Sequence, residues 1–165
     1  PHPPPHRPPT APSCFKKIFF NDTATTEIYT IRSSSAASDV YKRQILFAYG
    51  PVMMNEALIA AERLKEQGIS LKVVNLPWLN DVDLSWLKDV CAESNDIFTL
   101  DNHSGYGGVG DLLLNALMSS PTLSSRRLVK FAVDEIPACG TPEEALSYHG
   151  LDGQSLAERI LASMS

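Results

Sequence analysis

The chain has 165 residues, 44% hydrophobic and 20% charged, with a formal net charge of −5, an average that fits one ordinary globular domain. The charge is divided unevenly: residues 1–44 hold six Lys/Arg against three Asp/Glu, whereas residues 45–165 hold eight against sixteen, a net of −8. That balance argues against a nucleic-acid partner, and the absence of any apolar run near the roughly 18–20 residues of a spanning helix argues against a membrane.

The first segment does not read as a domain. Seven of the twelve prolines fall in residues 1–12, a composition too poor in apolar side chains to offset its own ordering entropy. Asn21 to Thr30 resembles, codon for codon, the translation of a sequencing flow-cell adapter, and Ser34 to Gln44 resembles the translated end of a transposase library adapter. Ile31, Arg32 and Ser33 stand where a variable barcode would lie. Residues 1–44 are therefore expected to be disordered or artefactual and are set aside from fold reasoning. A genuine Ser/Thr-rich interaction tail is the competing reading. Because such adapters are inserted inside genes, the authentic polypeptide is expected to begin upstream of Ile45, cut here in mid-strand.

From Ile45 onward the elements alternate. Ile45 to Tyr49 is a short apolar run ending at Gly50-Pro51, a buried strand and a turn. Ala57, Ala60, Ala61 and Leu64 recur at helical spacing, with Gly68 placed as the stop. Leu71 to Leu76 supplies a second strand, and Asp83 can cap a helix carrying Leu84, Leu87, Val90 and Cys91. Asp96 to Leu100 is a third strand, followed by a glycine loop and a helix through Leu112, Leu113, Leu114, Ala116 and Leu117. A fourth strand spans Leu128 to Val133. Thr141-Pro142-Glu143-Glu144 carries a cap hydroxyl, proline at the first helical position and a returning glutamate, a complete capping box; that helix ends at Gly150. Asp152 caps a last helix with Leu156, Ile160 and Leu161. The alternation predicts an α/β fold with a mainly parallel sheet covered on both faces.

The loop that invites chemistry is Asp101-Asn102-His103-Ser104-Gly105-Tyr106-Gly107-Gly108-Val109-Gly110. It follows a strand and precedes a helix, the side of an open α/β sheet where ligands bind. Gly105, Gly107 and Gly110 satisfy GxGxxG, and free N–H groups at a helix start can hold an anion. The dinucleotide fingerprint, however, belongs after the first strand, and the next acid, Asp134, lies 24 residues past Gly110. The glycines fit better a close-packed backbone turn, where they let the helix approach its neighbours. His103 neighbours Asp101 and Asn102 but has no further ligand pair nearby, so a metal site is not expected; a hydrogen-bonded histidine at a domain interface is, with a chemical role in a complete enzyme as the lesser alternative. Asp101, Asn102, His103, Gly105, Gly107, Gly108 and Gly110 are thus candidates for an interface or an anion site. Cys14, Cys91 and Cys139 are far apart and odd in number, which disfavours a disulfide framework or a zinc site and fits a reducing, cytoplasmic setting. Trp78 and Trp86 are expected to fill a core or a domain contact.

Four blocks in order carry a family resemblance: Ala48-Tyr49-Gly50-Pro51 with Glu56-Ala57-Leu58; Val73 to Pro77; Asp101-Asn102-His103 with Gly107-Gly108-Val109-Gly110; and Ile136 to Glu144 closing with His149-Gly150-Leu151-Asp152. Residues 45–165 resemble the C-terminal domain of the transketolase family of thiamine-diphosphate enzymes. Asp101 stands where family members more often carry Glu, and Trp78-Leu79-Asn80-Asp81 departs from the usual segment, so the subfamily stays open among transketolase, deoxyxylulose-phosphate synthase and the beta subunit of 2-oxo-acid dehydrogenase E1. The resemblance implies a three-layer αβα domain with a mostly parallel five-stranded sheet, ending a homodimeric enzyme. It implies that thiamine diphosphate and magnesium lie between two other domains, N-terminal and middle, which are the expected partners. This chain would then bind no cofactor, contain no catalytic residue and be inactive alone. Two-carbon ketol transfer between sugar phosphates would be the parent reaction. A free-standing nucleotide- or anion-binding domain using the loop 105–110 is the alternative.

Overall fold

The computed structural model describes residues 43–164, and the readings made of residues 1–42 lie outside them. In chain order the elements are β1 (Arg43–Ala48), α1 (Pro51–Glu66), β2 (Leu71–Asn75), α2 (Leu84–Cys91), β3 (Ser94–Ser104), α3 (Val109–Met118), β4 (Arg127–Val133), α4 (Pro142–Tyr148) and α5 (Gly153–Met164). The strands lie in the order β2-β1-β3-β4, and every pairing is parallel. Each strand-to-strand crossover carries a helix, as parallel pairing requires.

Side-chain alternation along β1 divides the core in two. Leu46 and Ala48 face Met53, Ala57, Ala60 and Leu64 of α1 and Leu156, Ala157 and Ile160 of α5. Ile45 and Phe47 face Leu87 and Cys91 of α2 and Val109, Leu113 and Leu117 of α3. A strand buried on both faces reads as the continuous apolar run that the sequence shows. Gly153 lets α5 close on α1: an added Cβ would lie 2.5 Å from Ile59 Cγ2 and 3.0 Å from the Glu56 carbonyl. Glu56 also accepts the Gly153 N–H at 2.8 Å. Arg159 fastens α5 to β4 by lying 4.7 Å from the Phe131 ring centroid and donating to the Gly150 carbonyl at 3.1 Å.

The sheet corrects one expectation. Among the described residues it has four strands, not five. After β4 the chain enters a stretch containing Pro137 and Gly140, then two helices joined by only four residues, His149 to Asp152. No further apolar run of strand length is available there to pair with β4. The four strands that periodicity alone predicts are the four observed. The three-layer αβα arrangement matches the expectation, and all three expected caps form: Thr141 and Glu144 exchange their bonds, Asp83 accepts from the Ser85 and Trp86 N–H groups, and Asp152 accepts from those of Gln154 and Ser155.

β1 begins two residues before Ile45, and this exposes an anomaly. Gln44 pairs in register with Leu71 and is fully buried, yet neither oxygen nor nitrogen of its amide has a hydrogen-bond partner among the described residues. A buried unpaired amide carries a desolvation cost of about 1–3 kcal/mol. Gln44→Leu is expected to stabilise the domain by about 1 kcal/mol or more, read as a higher urea midpoint at unchanged slope.

Candidate functional site

The order β2-β1-β3-β4 creates a switch point: the chain leaves β1 toward β2 on one side, while β3 pairs with its other side. Ligand sites of open α/β sheets form outside the carboxyl ends of strands at such a point. Here it brings together Tyr49, just past β1, and Asp101 to Ser104, the last turn of β3. The sequence reads these four polar residues as loop, but the strand continues through them with a register irregularity between Leu100 and Ser104.

Asp101 organises the site. It is 1% exposed, and its two carboxylate oxygens accept the Val109 and Gly110 N–H groups at 3.2 and 3.1 Å. Those are orphan donors of the α3 start, where a carboxylate also gains from the helix dipole. Gly108 allows the approach: a Cβ there would lie 2.7 Å from His103 Cε1 and 3.0 Å from Asp101 Oδ2. Gly110 allows a second, because a Cβ would meet Thr99 Oγ1 at 2.9 Å and the Lys130 side chain at 2.5 Å.

The rest of the loop is closed by its own side chains. Gly107, at φ +75°, donates to Asp111 Oδ2 at 2.7 Å, and Tyr106 N–H donates to Ser104 Oγ at 3.2 Å. Lys130 Nζ donates to the Gly105 carbonyl and to Asp111 Oδ1, both at 2.7 Å. The N–H groups of Tyr106, Gly107, Val109 and Gly110 are thus held by Ser104, Asp111 and Asp101.

Around this knot lie two histidines and a tyrosine. His103 is half-exposed; its Nδ1 lies 2.9 Å from the Ser104 carbonyl, and its Nε2 is 3.7 Å from Asp101 Oδ1. The tautomer that satisfies the first contact is protonated on Nδ1. His149 Nε2 accepts the Ala138 N–H at 3.1 Å and so holds the loop after β4. The Tyr49 hydroxyl donates to Asn102 Oδ1 at a long 3.4 Å. Burial first, then the charge of Asp101 and a hydrogen bond to it, push that hydroxyl up to about 12, so it remains a neutral donor. Val52 and Met53 of α1, Asn102 and His103, the Pro137-Ala138 segment, and Leu146 and His149 line an open groove of about 430 Å³.

The structure therefore gathers all seven sequence candidates at one edge and adds four residues: Tyr49, Lys130, Asp111 and His149. Lys130 carries a readable signal, a lone charge inside the run Leu128 to Val133. Tyr49 carries none until β1 and β3 are known to be neighbours. Cys91 is buried in the α2 layer, where burial raises its thiol to about 11, and Cys139 is exposed. Trp86 packs edge-on against Phe47 with centroids 6.2 Å apart, whereas Trp78 is exposed. Among the described residues no group of three or more His, Cys, Asp or Glu is placed to hold a metal ion, and no helix is long and apolar enough to cross a membrane.

A parallel αβα domain with an Asp-Asn-His strand end locked onto a glycine-started helix is the class that fold and site define. Residues 38–156 match the family description "Transketolase, C-terminal domain". The chain belongs to the transketolase family, to which it contributes that domain. It is 32% identical to a putative transketolase C-terminal section of Methanocaldococcus jannaschii over 66% of this chain and 33% of that protein. Human transketolase is 30% identical over 66% of this chain and 17% of its own length. A solved structure described as a split gene transketolase, inactive beta4 tetramer, matches 73% of this chain and 39% of its own with a TM-score of 0.65 and 26% identity. The chain thus spans about a third or less of the length of these two curated relatives.

Two outcomes test this geometry. Asp101→Ala removes both acceptors of the α3 start from a buried position and should cost about 2–3 kcal/mol, with Asp101→Asn retaining part of it, as read by urea denaturation. The second concerns acid. The Lys130 hydrogen bond, then the Gly107 N–H, hold the Asp111 carboxyl below its ordinary range, and the Thr141 backbone and hydroxyl do the same for Glu144. Asp152 is pushed up by burial but held lower on balance by bonds from Ser155 and Gln154. Carboxyls with folded values below their unfolded ones stabilise fully above about pH 4 and lose that contribution as pH falls through the folded values. Urea midpoints should therefore drop below about pH 4, less steeply in Asp111→Asn and Glu144→Gln.

Proposed function

We propose that residues 45–165 act as the C-terminal assembly domain of a thiamine-diphosphate-dependent transketolase-type enzyme, catalysing nothing alone. On this reading two-carbon ketol transfer between sugar phosphates belongs to the parent enzyme, a homodimer whose N-terminal and middle domains hold thiamine diphosphate and magnesium. The observation that carries it is the occupation of the α3 start by Asp101. A diphosphate needs exposed N–H donors and a divalent cation needs clustered oxygens. Four donors of loop 105–110, the N–H groups of Tyr106, Gly107, Val109 and Gly110, are bonded to the protein's own carboxylates and hydroxyl, and the described residues offer no metal-holding group. These residues therefore do not fit the cofactor. The split-gene relative, described as an inactive tetramer, supports the same division of labour. The free thiols Cys91 and Cys139 support a reducing, cytoplasmic setting.

An anion seated on the Val109 and Gly110 N–H groups would require Asp101 to surrender its bonds and leave a buried carboxylate unpaired, which disfavours the free-standing anion-binding alternative at those donors. Titration of the chain with thiamine diphosphate and magnesium should give no saturable heat. NAD and inorganic phosphate should behave likewise. Saturable, magnesium-dependent cofactor binding would overturn the assembly reading, and micromolar phosphate or NAD binding abolished by Gly107→Val would establish the alternative.

A further inference from the structure

Beyond β4 the chain crosses to α4 through a connection that little inside the domain holds. Residues 135–140 lie outside every helix and strand, and none of them belongs to either half of the core. Glu135, Ile136, Pro137, Cys139 and Gly140 are exposed, Ile136 to 89%, and Ala138 is half-buried. Within the described residues this stretch makes one hydrogen bond, from the Ala138 N–H to His149 Nε2 at 3.1 Å. A segment with so few buried apolar contacts and a single bond lies at the low end of local stability.

The acceptor side of that bond is firm. His149 caps α4 by donating its own N–H to the Ala145 carbonyl at 3.1 Å. Arg159 Nη1 lies 3.5 Å from the His149 carbonyl and 3.1 Å from that of Gly150, and Tyr148 meets the imidazole edge-on with ring centroids 5.0 Å apart. An imidazole nitrogen accepts only through its lone pair, so the bond from Ala138 requires the neutral ring with its proton on Nδ1. A proton on Nε2 turns the acceptor into a second donor, which faces the Ala138 N–H with nothing to share.

We propose that His149 is a pH-sensitive latch: its neutral ring holds the connection 135–140 against the groove that Pro137, Ala138 and His149 line with Val52, Met53 and His103, and protonation at Nε2 releases it. The held arrangement excludes a proton that the released one binds, so falling pH favours release and rising pH restores the bond. The groups that face the ring are Arg159 from α5, Tyr148 from α4 and His103 from the end of β3, while Val52 and Met53 of α1 bring no charge. No carboxylate lines the groove to compensate an imidazolium. Of the acids on the flanking helices, Glu144 is committed to the Thr141 N–H, and Asp152 to Gln154 and Ser155. Those carboxyls change charge below about pH 4, whereas histidines do so between about pH 5 and 8, so the latch has a pH window of its own.

The test is amide exchange of the full 165-residue chain by nuclear magnetic resonance at about pH 5.5, 6.5 and 7.5, each rate divided by that of an unstructured peptide at the same pH. Protection of the Ala138 amide should fall by about five- to tenfold from the highest pH to the lowest, while the Gly153 amide, held by Glu56, keeps its own. A long-range proton–nitrogen spectrum at the highest pH should show His149 Nε2 unprotonated and Nδ1 carrying the proton. In His149→Gln the side-chain oxygen accepts the same N–H without titrating, so protection should persist at all three values. His149→Phe has no acceptor and should show low protection throughout, and His103→Gln should leave the wild-type pH dependence intact. Ala138 protection that ignores pH, a dependence that survives His149→Gln or vanishes in His103→Gln, or a proton found on Nε2 at the highest pH overturns the latch. The ring spectrum and the wild-type series decide the matter even if a variant fails to fold.

Discussion

The buried carboxylate of Asp101 is the contact on which the functional end of this domain depends. It closes the strand-to-helix connection from inside, accepting two N–H groups that the start of α3 would otherwise present to solvent. That choice fixes the glycines, since a carboxylate can reach the backbone of Val109 and Gly110 only where Gly108 leaves room. It also fixes the electrostatics. A helix start that attracts anions in other folds is here capped by the protein's own carboxylate, which ties the loop to the end of β3.

Lys130 extends the same logic one strand further. Its ammonium ties the Gly105 carbonyl on one side of the loop to Asp111 on the first turn of the helix. The loop is thereby held from β3 below, from β4 beside it and from α3 ahead. His149 performs the corresponding task for the connection after β4, anchoring Ala138 from the turn that joins α4 to α5. These contacts connect through the sheet: Arg159, on α5, covers Phe131, which stacks on Phe98 with centroids 5.6 Å apart. The connection after β3 is thus held at several points, whereas the one after β4 hangs on a single imidazole.

Much of this was legible in advance, for identifiable reasons. β1 is buried on both faces, so its apolar run needs no partner to be recognised. The cap at Asp83 and the box at Thr141 are local hydrogen-bond exchanges within four residues, and local chemistry is what a sequence displays most directly. The end of β3 was not legible as strand, because Asp-Asn-His-Ser carries turn propensity that pairing with β4 overrides. The fifth strand implied by family resemblance has no apolar run to build it after Val133.

The sequence by itself determined the alternation of strands and helices, the caps, the glycine positions and the acidic balance, all properties of short windows in which a residue's neighbours are its sequence neighbours. Only the tertiary structure decided that Tyr49 stands beside Asn102, that Asp101 faces inward onto α3, and that Lys130 reaches across to Asp111. Those contacts join residues 53, 8–9 and 19 positions apart. They exist because β3 lies beside β1, with β4 on its outer side, an order that burial of the whole sheet selects and no single stretch of chain encodes.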